Sequence, residues 1–217
     1  MRHYDAAVFD LDGTLFDTSE GVVNSVRYAV KTLKLPELSE EVMRSFIGPP
    51  IQNSFARLYG FDEKEAAGAA AIFRDRYKER DLFLAKPYEG MSDTIKTLRE
   101  NGVLCAVATY KRQDYTERLL EHFGFDKIFD KICGSDFEGK LTKKDIIENA
   151  AKSLGITDMN RAVMIGDTVS DISGAAAVGI PFIAVTYGFG FKEEKDIKDY
   201  PYTGVVATPQ DLTGIIL

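Results

Sequence analysis

Apolar positions along the chain of 217 residues follow two patterns. Four short runs are apolar without clean alternation: AAVF at 6–9, VLCAVAT at 103–109, AVMI at 162–165 and FIAVTY at 182–187. Such runs suit strands buried on both faces of a parallel sheet, because a half-exposed strand alternates apolar and polar side chains. Between them lie segments of helical spacing at 93–101, 114–123, 144–154 and 170–178. Each stops at a glycine, namely Gly102, Gly124, Gly155 and Gly179, and Pro181 follows the last. Glycine takes the left-handed conformation that closes a helix without a Cβ penalty. Helices that end in glycine and lead into apolar strands predict an α/β fold with a doubly wound parallel sheet.

Residues 18–84 read differently, with no convincing strand. Helices are predicted at 19–33, 39–46, 51–59 and 63–80, with Ser39 as an N-cap and FIGPP at 46–50 as a rigid turn. This reads as an all-helical cap domain inserted after the first strand. The expected division is 1–16 with 86–217 as a Rossmann-like catalytic core and 17–85 as the cap, with hinges near 16–18 and 85–88.

Composition narrows the function. Acidic residues number 34 against 27 basic, giving a net charge of −7. That disfavours binding to a nucleic acid polymer but allows a small phosphorylated metabolite held by a local cation. No run approaches the ~18 apolar residues of a membrane span, and the N-terminus lacks a signal peptide's apolar region, so the expected location is cytoplasmic. Cys105 and Cys133 form no CxxC, and Cys105 sits in an apolar run as a buried small hydrophobe. Two histidines make a histidine-rich zinc site unfavourable.

The chemistry gathers where strands end. FDLDGTLFDT puts Asp10, Asp12, Gly13 and Thr14 directly after AAVF. This is the carboxyl edge, where open α/β sheets bind ligands. One carboxylate there can be a nucleophile and the other a general acid/base, while turn amides hold an anion. Thr109 ends the second run and can donate to a phosphate oxygen or merely cap the strand. In GKLTKKD, Lys143 precedes the predicted helix and can point back to the sheet edge, with Lys144 as competitor. In MIGDTVSD, Asp167 follows the third run and Asp171 lies one helical turn on. Two such acids suit a hard, oxygen-liganded Mg²⁺ shared with Asp10 and waters. They equally suit the first turn of a helix, where acids stabilise the dipole.

Taken in order, FDLDGTLFDT, Thr109, Lys143 and GDTVSD resemble the four motifs of the haloacid dehalogenase superfamily over the whole chain. FIGPPIQNSF and YEGMSDTIKTLRENG are similar to its phosphoglycolate phosphatase-like branch, some members of which are 5′-nucleotidases. The resemblance implies a magnesium-dependent phosphatase in which Asp10 attacks phosphorus to form an aspartyl-phosphate. Asp12 would protonate the leaving oxygen and later deprotonate water. Thr109, Lys143 and amides at 11–13 would hold the phosphoryl oxygens. Asp10, Asp167, Asp171 and the backbone carbonyl of Asp12 would bind Mg²⁺. Tyr110 departs from the Asn of many relatives, and the usual Lys-Pro at the lysine motif is absent.

Competing functions divide on a few positions. A phosphomutase of the β-phosphoglucomutase type would need a second phosphate site, for which Arg27 and Arg57 are the cap's candidates. A dehalogenase would lack Asp12. A phosphonate hydrolase would need a lysine where Ile51, Gln52 and Asn53 stand. A non-catalytic binding module would have lost Asp10, Asp12, Lys143 or Asp167. Phe16, Ile51, Asn53 and Arg57 are candidate specificity residues, and the expected assembly is a monomer or homodimer. The loop at 188–194, GFGFKEE, is too short and irregular for a nucleotide fingerprint and has no assigned role.

Overall fold

The computed structural model describes residues 3–217, which form two compact units. One comprises 3–17 and Pro87–Leu217, the other Thr18–Lys86, so each junction lies one residue beyond the expected hinge boundary. No helix among the described residues is long and apolar enough to cross a membrane.

The first unit is built on a parallel six-stranded sheet. Its strands are β1 (Ala6–Phe9), β4 (Leu104–Arg112), β5 (Lys131–Ser135), β6 (Ala162–Gly166), β7 (Phe182–Val185) and β8 (Gly204–Val206), in spatial order β5-β4-β1-β6-β7-β8. Two short strands, β2 (Phe16–Asp17) and β3 (Lys86–Pro87), pair separately at the chain's crossings. Every residue of β1 is fully buried. Ala6 and Val8 pack in one cluster with Ile147 of α7 (Lys143–Ser153) and Ile172 of α8 (Val169–Val178). Ala7 and Phe9 face the other way, since side chains alternate across a strand, and Phe9 meets the ring of Phe129 edge-on at 5.9 Å. Burial on both faces is why these strands read as unbroken apolar runs.

Helices α5 (Met91–Glu100) and α6 (Gln113–His122) complete the connections, and α9 (Leu212–Ile216) packs on α5. Gly102, Gly124, Gly155 and Gly179, the four expected helix stops, all have left-handed backbones, with φ of 80°, 72°, 77° and 80°. Cys105 is fully buried, and burial, with Asp130 beside it, pushes its thiol up to about 12.

Strands β5 and β8 are not among the sequence-predicted ones. Both are edge strands, with partly exposed, mixed residues, KICGS and GVV, that give no apolar run. Strand β4 runs three residues past the expected end at Thr109, and its pairing with β5 is irregular between Ala108 and Arg112. Bulges of this kind re-aim side chains beside active sites.

The second unit contains α1 (Ser19–Thr32), α2 (Glu40–Arg44), α3 (Ile51–Tyr59) and α4 (Glu63–Arg76). Ser39 caps α2, its hydroxyl accepting the Val42 N–H at 3.3 Å. The helix expected at 63–80 ends at Arg76, and Tyr77–Asp81 widens into a π-helical turn. That turn brings Asp81 inward, where it accepts from Ser25 at 2.9 Å and pairs with Arg76 at 2.8 Å. Gly21 makes the approach possible, because a Cβ there would lie 2.2 Å from the Asp81 carbonyl oxygen.

Candidate active site

The strand order reverses around β1, which lies between β4 and β6. Phe9 is level with Val107 on one side and Ile165 on the other. Asp10, Thr109 and Asp167 therefore emerge within two residues of that level at the same carboxyl edge, the switch point where ligands bind such sheets.

Asp10 is buried, and its Oδ1 lies 2.5 Å from Lys143 Nζ. The same ammonium is 2.7 Å from Asp171 Oδ1. Lys143 is the first residue of α7, and a helical side chain leans toward the N-terminus, here the sheet edge. Its stem passes α8 at Gly174, where a Cβ would sit 2.9 Å from Lys143 Cγ. Lys144 is exposed. Of the two lysines, Lys143 is the one whose ammonium lies among the acids at the sheet edge. The Lys143 backbone N–H donates to the Tyr110 hydroxyl at 2.9 Å, so the residue that departs from the family pattern supports the lysine.

Burial, followed by Asp171, pushes the Asp167 carboxyl up to about 7. Burial likewise raises Asp10 well above the usual carboxylate range; Lys143 opposes this, and Asp171, Asp167 and Asp12 add to it. Burial acts to lower Lys143, but Asp10 and Asp171 outweigh it and raise it. Asp10, Asp167 and Asp171 each offer a carboxylate oxygen within 4.8 Å of the others.

Asp171 carries a second task. Its Oδ2 accepts from the Thr168 backbone at 3.0 Å and the Thr168 hydroxyl at 2.6 Å, closing a capping box on α8. The helix-start reading of Asp171 is therefore realised, with Thr168 as the N-cap, and its Oδ1 still lies within the acidic cluster. The Thr109 hydroxyl accepts the Lys111 N–H at 3.1 Å, which leaves its own hydrogen to donate. Gly13 is not available as an anion-binding amide, since its N–H donates to the Phe16 carbonyl at 2.9 Å within the 11–16 turn. Phe16 is not a pocket lining either. It is fully buried, with its ring 5.3 Å from Phe123 and 5.0 Å from Phe125.

Lys111 was not among the sequence candidates. Its Nζ lies 3.0 Å from Asp12 Oδ1, and both side chains are 7% exposed. It lies past the expected strand end at Thr109, and the longer β4 carries it to the site.

Four carboxylates (Asp10, Asp12, Asp167, Asp171) thus crowd around two ammonium groups (Lys111, Lys143) in a buried site. Asp167 Oδ1 is buried without a hydrogen-bond partner. A buried polar atom left unpaired is costly, and one divalent cation would both partner that oxygen and offset the crowding of the acids, so the donor set fits magnesium.

The family model for haloacid dehalogenase-like hydrolases matches residues 7–185. The chain belongs to that family. It is 35% identical over 192 residues to a 5′-nucleotidase of Pseudomonas aeruginosa, covering 88% of this chain and 86% of the relative. It is 28% identical over 213 residues to a phosphoglycolate phosphatase of Mesorhizobium japonicum, covering 95% and 92%. A crystal structure of a predicted phosphatase from Clostridium acetobutylicum superposes with a TM-score of 0.91 at 37% identity, covering 97% of each chain. As a family phosphatase, the chain carries its acidic and basic groups at the strand ends described above.

Proposed function

We propose that this phosphatase is magnesium-dependent and hydrolyses a small phosphomonoester through an aspartyl-phosphate on Asp10, phosphoglycolate and nucleoside 5′-monophosphates being the leading substrate classes. The observation that carries the reading is the buried, unpartnered Asp167 Oδ1 inside a cluster with the carboxylates of Asp10 and Asp171. Asp10, Asp167 and the backbone carbonyl of Asp12 would hold the metal, with Asp171 joining directly or through water. Magnesium would supply positive charge against the repulsion between Asp10 and a phosphate dianion. Lys143 Nζ, in contact with Asp10 Oδ1, places its charge where the phosphoryl oxygens develop theirs. The Thr109 hydroxyl hydrogen is free to donate to one of those oxygens.

The carboxylate of Asp10 attacks phosphorus as Asp12 gives a proton to the leaving alcohol oxygen. Asp12 then takes a proton from the water that attacks the acyl phosphate, releasing phosphate and restoring Asp10. Lys111 fixes the Asp12 side chain during the cycle.

Phosphate release tests the reading with a panel of phosphoglycolate, nucleoside monophosphates, hexose phosphates and pyrophosphate. One or a few monoesters should turn over with Mg²⁺. EDTA should lower the rate at least about 100-fold, the scale of several kcal/mol of lost charge stabilisation, and added Mg²⁺ should restore it. Undiminished release in EDTA would contradict metal dependence. No release from any of the panel, with isomerisation of β-glucose 1-phosphate once the bisphosphate activator is supplied, would favour a mutase.

A further inference from the structure

The glycine-rich loop after β7 has no role in the scheme so far, yet three consecutive amides of it engage one residue. Phe189 N–H and Gly190 N–H donate to Asp167 Oδ2 at 2.7 and 3.1 Å, and Phe191 N–H donates to the Asp167 backbone carbonyl at 2.8 Å. We propose that the Gly188–Gly190 loop is a positioning device that fixes Asp167 as a one-oxygen metal ligand, sequestering Oδ2 so that only Oδ1 faces the cation. The inference rests on the metal reading above.

The glycines are explained by closeness. A Cβ on Gly188 would lie 2.3 Å from the Gly13 carbonyl oxygen and 2.4 Å from Asp167 Oδ2. A Cβ on Gly190 would lie 2.2 Å from the Asp167 carbonyl oxygen. Gly13 closes the third side, since its own Cβ would be 2.3 Å from Asp167 Oδ2. Side chains at these points would push the loop off the carboxylate. The loop is pinned beyond that contact: Phe191 is buried in the core cluster, and the Lys192 ammonium donates back to the Gly188 carbonyl.

The physical consequence concerns Asp167 itself. A carboxylate with both oxygens unrestrained can turn, chelate through two atoms or swing to a nearby ammonium. Two N–H donors on one oxygen remove that freedom and leave a single donor atom in a fixed direction. Mg²⁺ demands near-ideal octahedral geometry, so it gains most from a ligand held this way. Partners that orient a ligand are worth about 10–100-fold in metal affinity.

The test is Mg²⁺ binding by calorimetry on the whole protein, with thermal unfolding of the metal-free form alongside. Gly188→Ala and Gly190→Ala should weaken Mg²⁺ binding about 10–100-fold while unfolding stays cooperative. Gly214→Ala is the control, because nothing lies within 4 Å of its added Cβ. Affinities of both loop variants within about twofold of wild type would overturn the proposal while leaving the metal reading intact. Failure of the folded wild type to bind Mg²⁺ would overturn the metal reading and the proposal with it. If the variants do not fold, hydrogen exchange on the wild type decides. Mg²⁺ should slow exchange at the Phe189 and Gly190 amides, since coupling between ligand and clamp is reciprocal. Unchanged exchange at both would overturn the proposal.

Discussion

Replacing Asp10 by Asn should abolish turnover while leaving a folded protein. The expected loss is at least about 10⁴-fold in kcat, the scale seen when a covalent nucleophile is removed. The side chain of Asn is nearly isosteric but its amide does not attack phosphorus. Folding should survive for an electrostatic reason. Asp10 is one of four acids crowded into a buried site, and Lys143 retains Asp171 at 2.7 Å when Asp10 is neutralised. Phosphate release and a thermal unfolding trace on the same sample check both halves. Substantial residual turnover in a folded Asp10→Asn protein would remove Asp10 from the nucleophile's role.

Lys143→Ala should cost orders of magnitude in rate, though less than Asp10→Asn, and be more damaging to the fold. The ammonium is a contact of Asp10 and also the counter-charge of Asp171. A preorganised charge aimed at the transition state is worth about 10²–10³ in kcat. Breaking a buried ion pair by removing one partner typically costs about 3–5 kcal/mol. Lys144→Ala should change stability by no more than about 0.5 kcal/mol, as exposed substitutions do, and leave kcat within a factor of about two. Steady-state kinetics and thermal unfolding of the two variants distinguish the neighbours. A large rate loss in Lys144→Ala with none in Lys143→Ala would reverse the assignment.

What the chain disclosed beforehand depended on burial. AAVF, AVMI and the CAVAT part of VLCAVAT are visible as strands because both faces are covered, which writes continuous apolar runs. KICGS and GVV are edge strands whose exposure dilutes that signal. The π-helical turn at Tyr77–Asp81 depends on Asp81 meeting Ser25 and Arg76, a tertiary contact that local helical spacing does not encode. The acids and Lys143 were legible because strand ends and helix starts converge on one edge. Lys111 was passed over because it lies past the expected strand end at Thr109, where the pairing of β4 is irregular. Phe16, two residues beyond the motif turn, could be taken for a pocket residue until its packing against Phe123 and Phe125 was visible. The loop at 188–194 carried no sequence signal of its purpose, because its donors are backbone amides and its glycines answer to atoms far away in sequence.

The central claim is a nucleophilic Asp10 that works beside a magnesium ion, and trifluoroberyllate tests it without knowledge of the substrate. This tetrahedral phosphoryl mimic bonds to a carboxylate oxygen. Fluorine NMR of the protein with beryllium fluoride and Mg²⁺ should show bound resonances in the wild type. They should vanish on addition of EDTA and be absent from folded Asp10→Asn. Bound resonances that persist in Asp10→Asn, or their absence from the folded wild type with Mg²⁺, would contradict the account.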